Sequence, residues 1–184
     1  MIIQLCGLSG AGKTTIATNV KKQALAHHTP LEIIDGDSYR EFLCKDLGFS
    51  REDRCENIRR LGFVASRLSE HGVVCIISAI NPYDEIRHEL AATYAEVKTV
   101  FIDCPVKELI NRDTKGLYKR ALLPDGHPQK ITNLTGVNDP FEAPELPDLH
   151  LRTNEKTIAA CTNELFYFIK RSLALQHNRL VTIN

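Results

Sequence analysis

Gly7-Leu8-Ser9-Gly10-Ala11-Gly12-Lys13-Thr14-Thr15 is the stretch from which the rest of the chain is read. It matches the phosphate-binding loop pattern G-x-x-x-x-G-K-[ST] at every fixed position. The apolar run Ile2-Ile3-Gln4-Leu5-Cys6 enters it like a buried strand, and a helix-like stretch from Thr15 to about Ala26 leaves it. Glycines let the backbone adopt φ > 0 and approach an anion closely. Successive N–H groups and the helix N-terminus behind them then form a concave anion site. Lys13 adds a point charge for β- and γ-phosphates, and the Thr14 hydroxyl is placed to ligate Mg²⁺. The bland alternative is a glycine-rich turn. The strand directly ahead of the motif argues for the phosphate loop.

Working outward, apolar runs at 2–6, 31–34, 73–80 and 97–104 alternate with helical patterns. Such alternation predicts β-α units and a parallel sheet. Their continuous rather than alternating apolar character suits strands covered on both faces. A fifth short strand is expected at 149–151. A last helix is expected from near Asn154 to about Gln176, with Ile158, Cys161, Leu165, Phe168 and Ile169 as its apolar stripe. The expected fold is α/β, a P-loop NTPase-type three-layer α/β/α arrangement with a parallel sheet of about five strands.

A chain of 184 residues falls within the size of one domain, so 1–184 is read as a single unit. Formal charge is zero, from 23 basic and 23 acidic residues. That argues against a general nucleic-acid binder while allowing a local basic pocket. No apolar run approaches the roughly 18 residues of a membrane span, and no basic region followed by an apolar segment marks a secretion signal. The six cysteines form no C-x-x-C pair and read as buried free thiols in a reducing, cytoplasmic setting. The seven histidines show no metal-ligand spacing.

After the second apolar run comes Ile34-Asp35-Gly36-Asp37-Ser38-Tyr39-Arg40. Carboxylates at the carboxyl end of a parallel strand lie where open α/β sheets bind ligands. One can serve Mg²⁺ and the other can accept a hydroxyl proton; a turn capped by Asp37 is the structural alternative. In Ser50-Arg51-Glu52-Asp53-Arg54-Cys55-Glu56-Asn57-Ile58, Ser50 and Asp53 resemble a capping box. Arg54 and Asn57 share a face that continues the buried stripe of Ile58, Leu61, Ala65 and Leu68. A buried cation needs a partner, either a bound anion or an internal carboxylate. Glu56 and Arg60 are spaced as an exposed pair. Pro82 and Pro105 suit first turns of helices, and Asp103 reads as capping or structural. From Asp113 to about Asp148 the chain turns basic and then proline-rich. A connection this long within a domain, with basic residues near its start, reads as a lid closing over phosphates; a plain surface excursion is the alternative.

Taken together, GLSGAGKTT, IDGDSYR, LGFSREDRCENIRR, RDTKGLY and NLTGVNDPFEAPELPDLHLRT resemble the adenylylsulfate (APS) kinase family, in that family's order and over most of the chain. The resemblance implies a P-loop kinase with a mobile lid. It implies phosphorylation of the 3′-hydroxyl of adenosine 5′-phosphosulfate by MgATP to give PAPS and ADP, by direct in-line transfer. It also implies a homodimer, with ATP and APS as its small-molecule partners. Carried across by motif, Gly7 to Thr15 hold the ATP phosphates, with Thr14 and Asp35 serving the metal. Lys13, Asp37 and Lys115 are catalytic. Asp37, Arg40, Phe49, Arg54, Asn57, Ile80, Asn81, Lys115 and Leu134 are placed around the acceptor, Phe49 stacking on its adenine.

Three positions depart from the family pattern. Asn81 stands where a serine, proposed to carry a phosphate, is usual. Leu134 replaces an aromatic. The segment 121–130 is about five residues longer than usual. The longer segment and Leu134 favour the rival reading, a same-fold kinase acting on another anhydride-bearing nucleotide, such as a cytidine diphosphate derivative. A nucleotide-dependent switch or inactive binding module is disfavoured by the absence of an N-K-x-D motif and by the acceptor-side residues that accompany the phosphate loop.

Overall fold

The computed structural model describes residues 1–183, with side chains as far as Gln176. Five strands, β1 (Ile2–Cys6), β2 (Leu31–Asp35), β3 (Val74–Ser78), β4 (Val97–Asp103) and β5 (Leu149–Arg152), form one sheet in the order β2-β3-β1-β4-β5. Every pairing is parallel. Helices α1 (Lys13–Ala26), α2 (Gly36–Phe42), α3 (Arg51–Glu70), α4 (Asp84–Thr93), α5 (Val106–Arg112), α6 (Leu117–Ala121) and α7 (Ile158–Ile183) connect or cover them.

The strand period of two divides the core into two layers. Ile3, Leu5, Ile76, Val100 and Ile102 pack on one side with Ile16 and Val20 of α1 and Leu165 and Ile169 of α7. Ile2, Cys75, Ile77 and Ile34 pack on the other with Ile58 and Leu61 of α3 and Ile86 and Leu90 of α4. Each fully buried Leu or Ile contributes roughly 1.5–3 kcal/mol, so both faces of β1 are needed to fix it at the centre. Gln4 is the polar exception in β1. It is fully buried and satisfied: its Nε2 donates to the Arg87 carbonyl and to Thr99 Oγ1, each at 3.0 Å.

The structure moves several expected boundaries. β3 ends at Ser78 rather than residue 80, because the Ile80 carbonyl leaves the ladder to accept the Gly7 N–H at 3.0 Å. Pro82 lies ahead of α4 rather than in its first turn; its carbonyl accepts the Glu142 N–H. Pro105 likewise stands just outside α5 as its N-cap. α7 begins at Ile158, since residues 152–156 close a turn on the Arg152 carbonyl and Thr157 Oγ1 accepts the Ala160 N–H. Asp35, not Asp37, caps α2. Ser50 caps α3 as expected, whereas the Asp53 carboxylate accepts from Gly48 N–H instead of closing a reciprocal box. Asp103 is structural, 2.9 Å from His150 Nε2.

Among the described residues no helix is long and apolar enough to cross a membrane. All six cysteines are buried and free.

Candidate active site

The phosphate loop joins β1 to α1 along the carboxyl edge of the sheet. Gly7 has φ 149°, and a Cβ there would meet the Ile102 carbonyl oxygen at 2.2 Å, so no larger residue fits. Gly12, with φ 104°, is the N-cap of α1. Lys13 opens the helix and folds back: its Nζ donates to the carbonyls of Gly7 at 2.9 Å and Leu8 at 2.8 Å. Gly7 and Leu8 thus hold the lysine, while Ser9, Gly10, Ala11, Gly12, Lys13, Thr14 and Thr15 line a cavity of about 860 Å³. Burial pulls the Lys13 ammonium down to about 8, and the charge of Lys115 adds to the effect.

Three oxygens meet beside this loop. The Thr14 hydroxyl donates to Asp35 Oδ2 at 3.2 Å and lies 3.2 Å from Ser78 Oγ. The other carboxylate oxygen of Asp35 accepts from the N–H groups of Asp37 and Ser38, both at 3.1 Å. That cap turns Oδ2 toward Thr14. An oxygen-only donor set suits a small hard cation whose remaining ligands are phosphates and water. Among the described residues no cluster of three or more His, Cys, Asp or Glu offers an all-protein metal cage. Sequence reading did not find Ser78. Its only signal is register: it pairs with Asp35 at the ends of adjacent parallel strands.

Across the cavity, Lys115 Nζ stands 3.0 Å from Asp37 Oδ2. Lys115 precedes Gly116, whose φ of 65° lets the chain turn into α6. Tyr118 anchors that turn by donating from its hydroxyl to the Ser9 carbonyl at 2.8 Å. One stretch of wall is formed by Arg112, Thr153, Lys156, Thr157 and Ile158, with Arg112 Nη2 donating to the Thr153 carbonyl at 3.1 Å. None of these five was expected at the site from sequence; Ile158, read as part of the buried stripe of the last helix, is 48% exposed and faces the cavity instead. Another stretch is formed by Phe49, Arg54, Ile80, Asn133 and Leu134.

Arg54 is 8% exposed and already has protein partners. Nε donates to the Phe49 carbonyl at 3.0 Å, and Nη2 donates to the Asn133 carbonyl at 2.8 Å and pairs with Asp139 at 3.1 Å. The internal carboxylate is thus present in this structure. Phe49 is 55% exposed, its ring facing the guanidinium groups of Arg40 at 4.8 Å and Arg54 at 5.5 Å. Leu134 is buried in the wall.

Three expected acceptor residues do not line the cavity. Arg40 Nη1 donates to the Gly48 carbonyl at 2.8 Å and backs the Phe49 ring. Asn57 is buried on α3, one turn after Arg54, its Oδ1 without a protein partner. Asn81 is 1% exposed and turned into the core, where Nδ2 donates to Gln4 Oε1 at 3.1 Å. Its φ of 47° is one that Asn tolerates better than most residues. The long segment 121–130 also stays off the cavity walls. It folds back on α6 through Arg120 Nε, which donates to the Gln129 carbonyl at 3.2 Å.

A family model described as adenylylsulphate kinase matches residues 1–152. An adenylyl-sulfate kinase of Chloroflexus aurantiacus is 45% identical over 171 residues, covering 93% of this chain and 89% of that one. One from Deinococcus deserti is 45% identical over 157 residues, 85% of this chain and 84% of the other. Among solved structures, the Mycobacterium tuberculosis APS kinase CysC in complex with AMPPNP and APS superposes with a TM-score of 0.84 at 34% identity, over 92% of this chain and 96% of that chain.

Proposed function

The chain belongs to the adenylylsulphate kinase family, and we propose on that premise that it phosphorylates the 3′-hydroxyl of adenosine 5′-phosphosulfate with MgATP, giving PAPS and ADP. One observation carries the reading. The phosphate loop, the Asp37–Lys115 pair and the Phe49–Arg54 wall border a single cavity, so donor and acceptor can lie in contact. Direct in-line transfer needs little more than this positioning and compensation of charge.

The loop N–H groups and the α1 N-terminus hold the ATP phosphates. Lys13 exchanges its two carbonyl partners for β- and γ-phosphate oxygens. Asp37 accepts the proton of the attacking hydroxyl, and Lys115 faces the transferring phosphoryl group. Thr14 and Asp35, with Ser78, would hold Mg²⁺, which neutralises charge building on the phosphates. Arg54 takes the phosphosulfate anion, and Phe49 and Leu134 give the acceptor base one aromatic and one aliphatic wall. Arg40 supports Phe49 from outside the cavity. The irregular segment 113–148 closes over the site, carrying Lys115 and Leu134. The same reading makes 1–184 one domain and the enzyme a cytoplasmic homodimer. Six buried free thiols support the reducing compartment.

The test is ADP release with MgATP and a panel of nucleotide acceptors. Adenosine 5′-phosphosulfate is expected to be the preferred acceptor. Transfer to a cytidine diphosphate derivative in its place would overturn the substrate. The placement of 121–130 away from the cavity removes one of the features that favoured that rival.

A further inference from the structure

We propose that Asp139 is a positioning residue for the acceptor anion, acting entirely through Arg54; this rests on the reading that Arg54 meets the phosphosulfate. Two arrangements of an arginine beside a carboxylate must be told apart. In one, the carboxylate occupies the place of the incoming anion and competes with it. In the other, it stands behind the guanidinium and aims it.

The structure places Asp139 behind. Arg54 lines the large cavity together with Phe49, Asn133 and Leu134. Asp139 does not line it. It borders a second, open cavity of about 550 Å³ together with Leu8, Val106 and Gly136 through Phe141. The turn 134–139 separates the two spaces. It is closed by the N–H groups of Val137, Asn138 and Asp139 on the Leu134 carbonyl, and by the Gly136 N–H on the Asp139 carbonyl at 2.7 Å.

The bonding of the guanidinium agrees. Nε donates to the Phe49 carbonyl and Nη2 to the Asn133 carbonyl, while Asp139 Oδ2 lies 3.1 Å from Nη2 as an ion pair. Nη1 makes no hydrogen bond to protein among the described residues and is the nitrogen left for a ligand. A guanidinium fixed on two edges presents the third in one orientation, and a planar fork is useful to an anion only when so oriented. The Asp139 carboxylate also offsets the cost of burying the Arg54 charge before substrate arrives. Thr135 Oγ1 donates at 3.5 Å to Asp139 Oδ2, the same oxygen that faces Arg54.

The two arrangements predict opposite signs. If Asp139 competed with the substrate, removing its charge would tighten acceptor binding. As a positioning residue, its removal weakens it. The experiment is calorimetric titration of the full chain with adenosine 5′-phosphosulfate and, separately, with the non-hydrolysable ATP analogue AMPPNP. Proteins compared are wild type, Asp139→Asn, Asp139→Ala, Arg54→Ala and the double variant Arg54→Ala/Asp139→Asn. Asp139→Asn is expected to weaken acceptor binding about tenfold, the factor that 1.4 kcal/mol represents. The affinity for AMPPNP stays within about twofold, which reports an intact fold and phosphate loop. In the Arg54→Ala background the Asp139 change adds nothing, the non-additivity expected of a residue acting through another.

Tighter or unchanged acceptor binding in both Asp139 variants, while Arg54→Ala weakens it, overturns this proposal and leaves the substrate reading intact. An Asp139 effect that persists undiminished without Arg54 overturns it as well. Arg54→Ala with unaltered acceptor binding overturns the site reading and this proposal with it.

Discussion

Lys115 Nζ and Asp37 Oδ2 are 3.0 Å apart, which ties the start of the segment 113–148 to the first turn of α2 across the mouth of the cavity. Both side chains are largely exposed, at 57% and 82%, so the pair adds at most about 1 kcal/mol to stability. Its value lies in placing a cation and a proton acceptor together. Lys115→Ala is expected to lower kcat by roughly 10²–10³, as for other groups that meet charge developing in a transition state. Asp37→Asn should lower kcat by about 10²–10⁴, the range for a general base. Thermal unfolding checks the other half: either variant should melt within about 4 °C of wild type. A large loss of melting temperature would make the pair structural.

The position of Lys13 gives a pH dependence with a definite sign. Burial holds its folded-state value near 8, below the ordinary 10.5. Between those values the unfolded chain binds the proton and the folded chain does not, so this group makes stability rise with pH across that window. Binding of ATP runs the other way, because phosphates favour the charged amine. ATP binding at about pH 8.5 should therefore take up a proton, and affinity should fall as pH rises through 8. Titration calorimetry in buffers of different ionisation enthalpy measures the uptake directly. Lys13→Ala should remove both the uptake and the transfer reaction while leaving the fold intact.

Ser78 is expected to matter through the cation. Its Oγ lies 3.2 Å from the Thr14 hydroxyl that also meets Asp35. Ser78→Ala removes one of three oxygens without leaving a large void. The Mg²⁺ concentration for half-maximal activity should rise several-fold, while the affinity for AMPPNP measured without Mg²⁺ stays level. An unchanged Mg²⁺ requirement would confine the metal to Thr14 and Asp35.

What could be read from the sequence follows the reach of the interactions. β1, the phosphate loop and the start of α3 are local: an apolar run, fixed glycines and a Ser50 cap are all contained within a few residues. The sequence carries the C-terminal end of β3 two residues too far because Ala79 and Ile80 are as apolar as the strand. Only the distant Gly7 N–H, by taking the Ile80 carbonyl, shows where the ladder stops. Arg54 was recognised as a buried cation in need of a partner. Whether that partner was a ligand or Asp139 depends on a contact spanning 85 positions of sequence, which no periodicity reports. The wall at Arg112 and Thr153–Ile158 was invisible for the same reason. Its residues are separated by α6, the long irregular segment and β5.

Asn81 shows the same limit in the other direction, and yields the last prediction. Read beside Ile80 and Pro82, it stands at the edge of the acceptor site. In the fold it points under β1, donating to Gln4 Oε1, while its own carbonyl accepts from Arg87 Nη1 at 2.7 Å. The residue is thus a clamp between β1 and α4, held at a φ of 47° that Asn tolerates. Asn81→Ala leaves Gln4 Oε1 buried without a donor and strains the backbone. It should cost about 1–3 kcal/mol of stability. kcat should fall far less than for Asp37→Asn, because no atom of Asn81 reaches the cavity. Asn81→Ser would restore a hydroxyl, but one placed in the core. Neither the wild type nor Asn81→Ser should therefore retain label after incubation with γ-labelled ATP alone, and kinetics should be sequential. A labelled side chain able to pass its phosphoryl group to adenosine 5′-phosphosulfate would replace direct transfer by a two-step mechanism. It would also require the loop 79–83 to turn Asn81, or the serine, out from beneath β1.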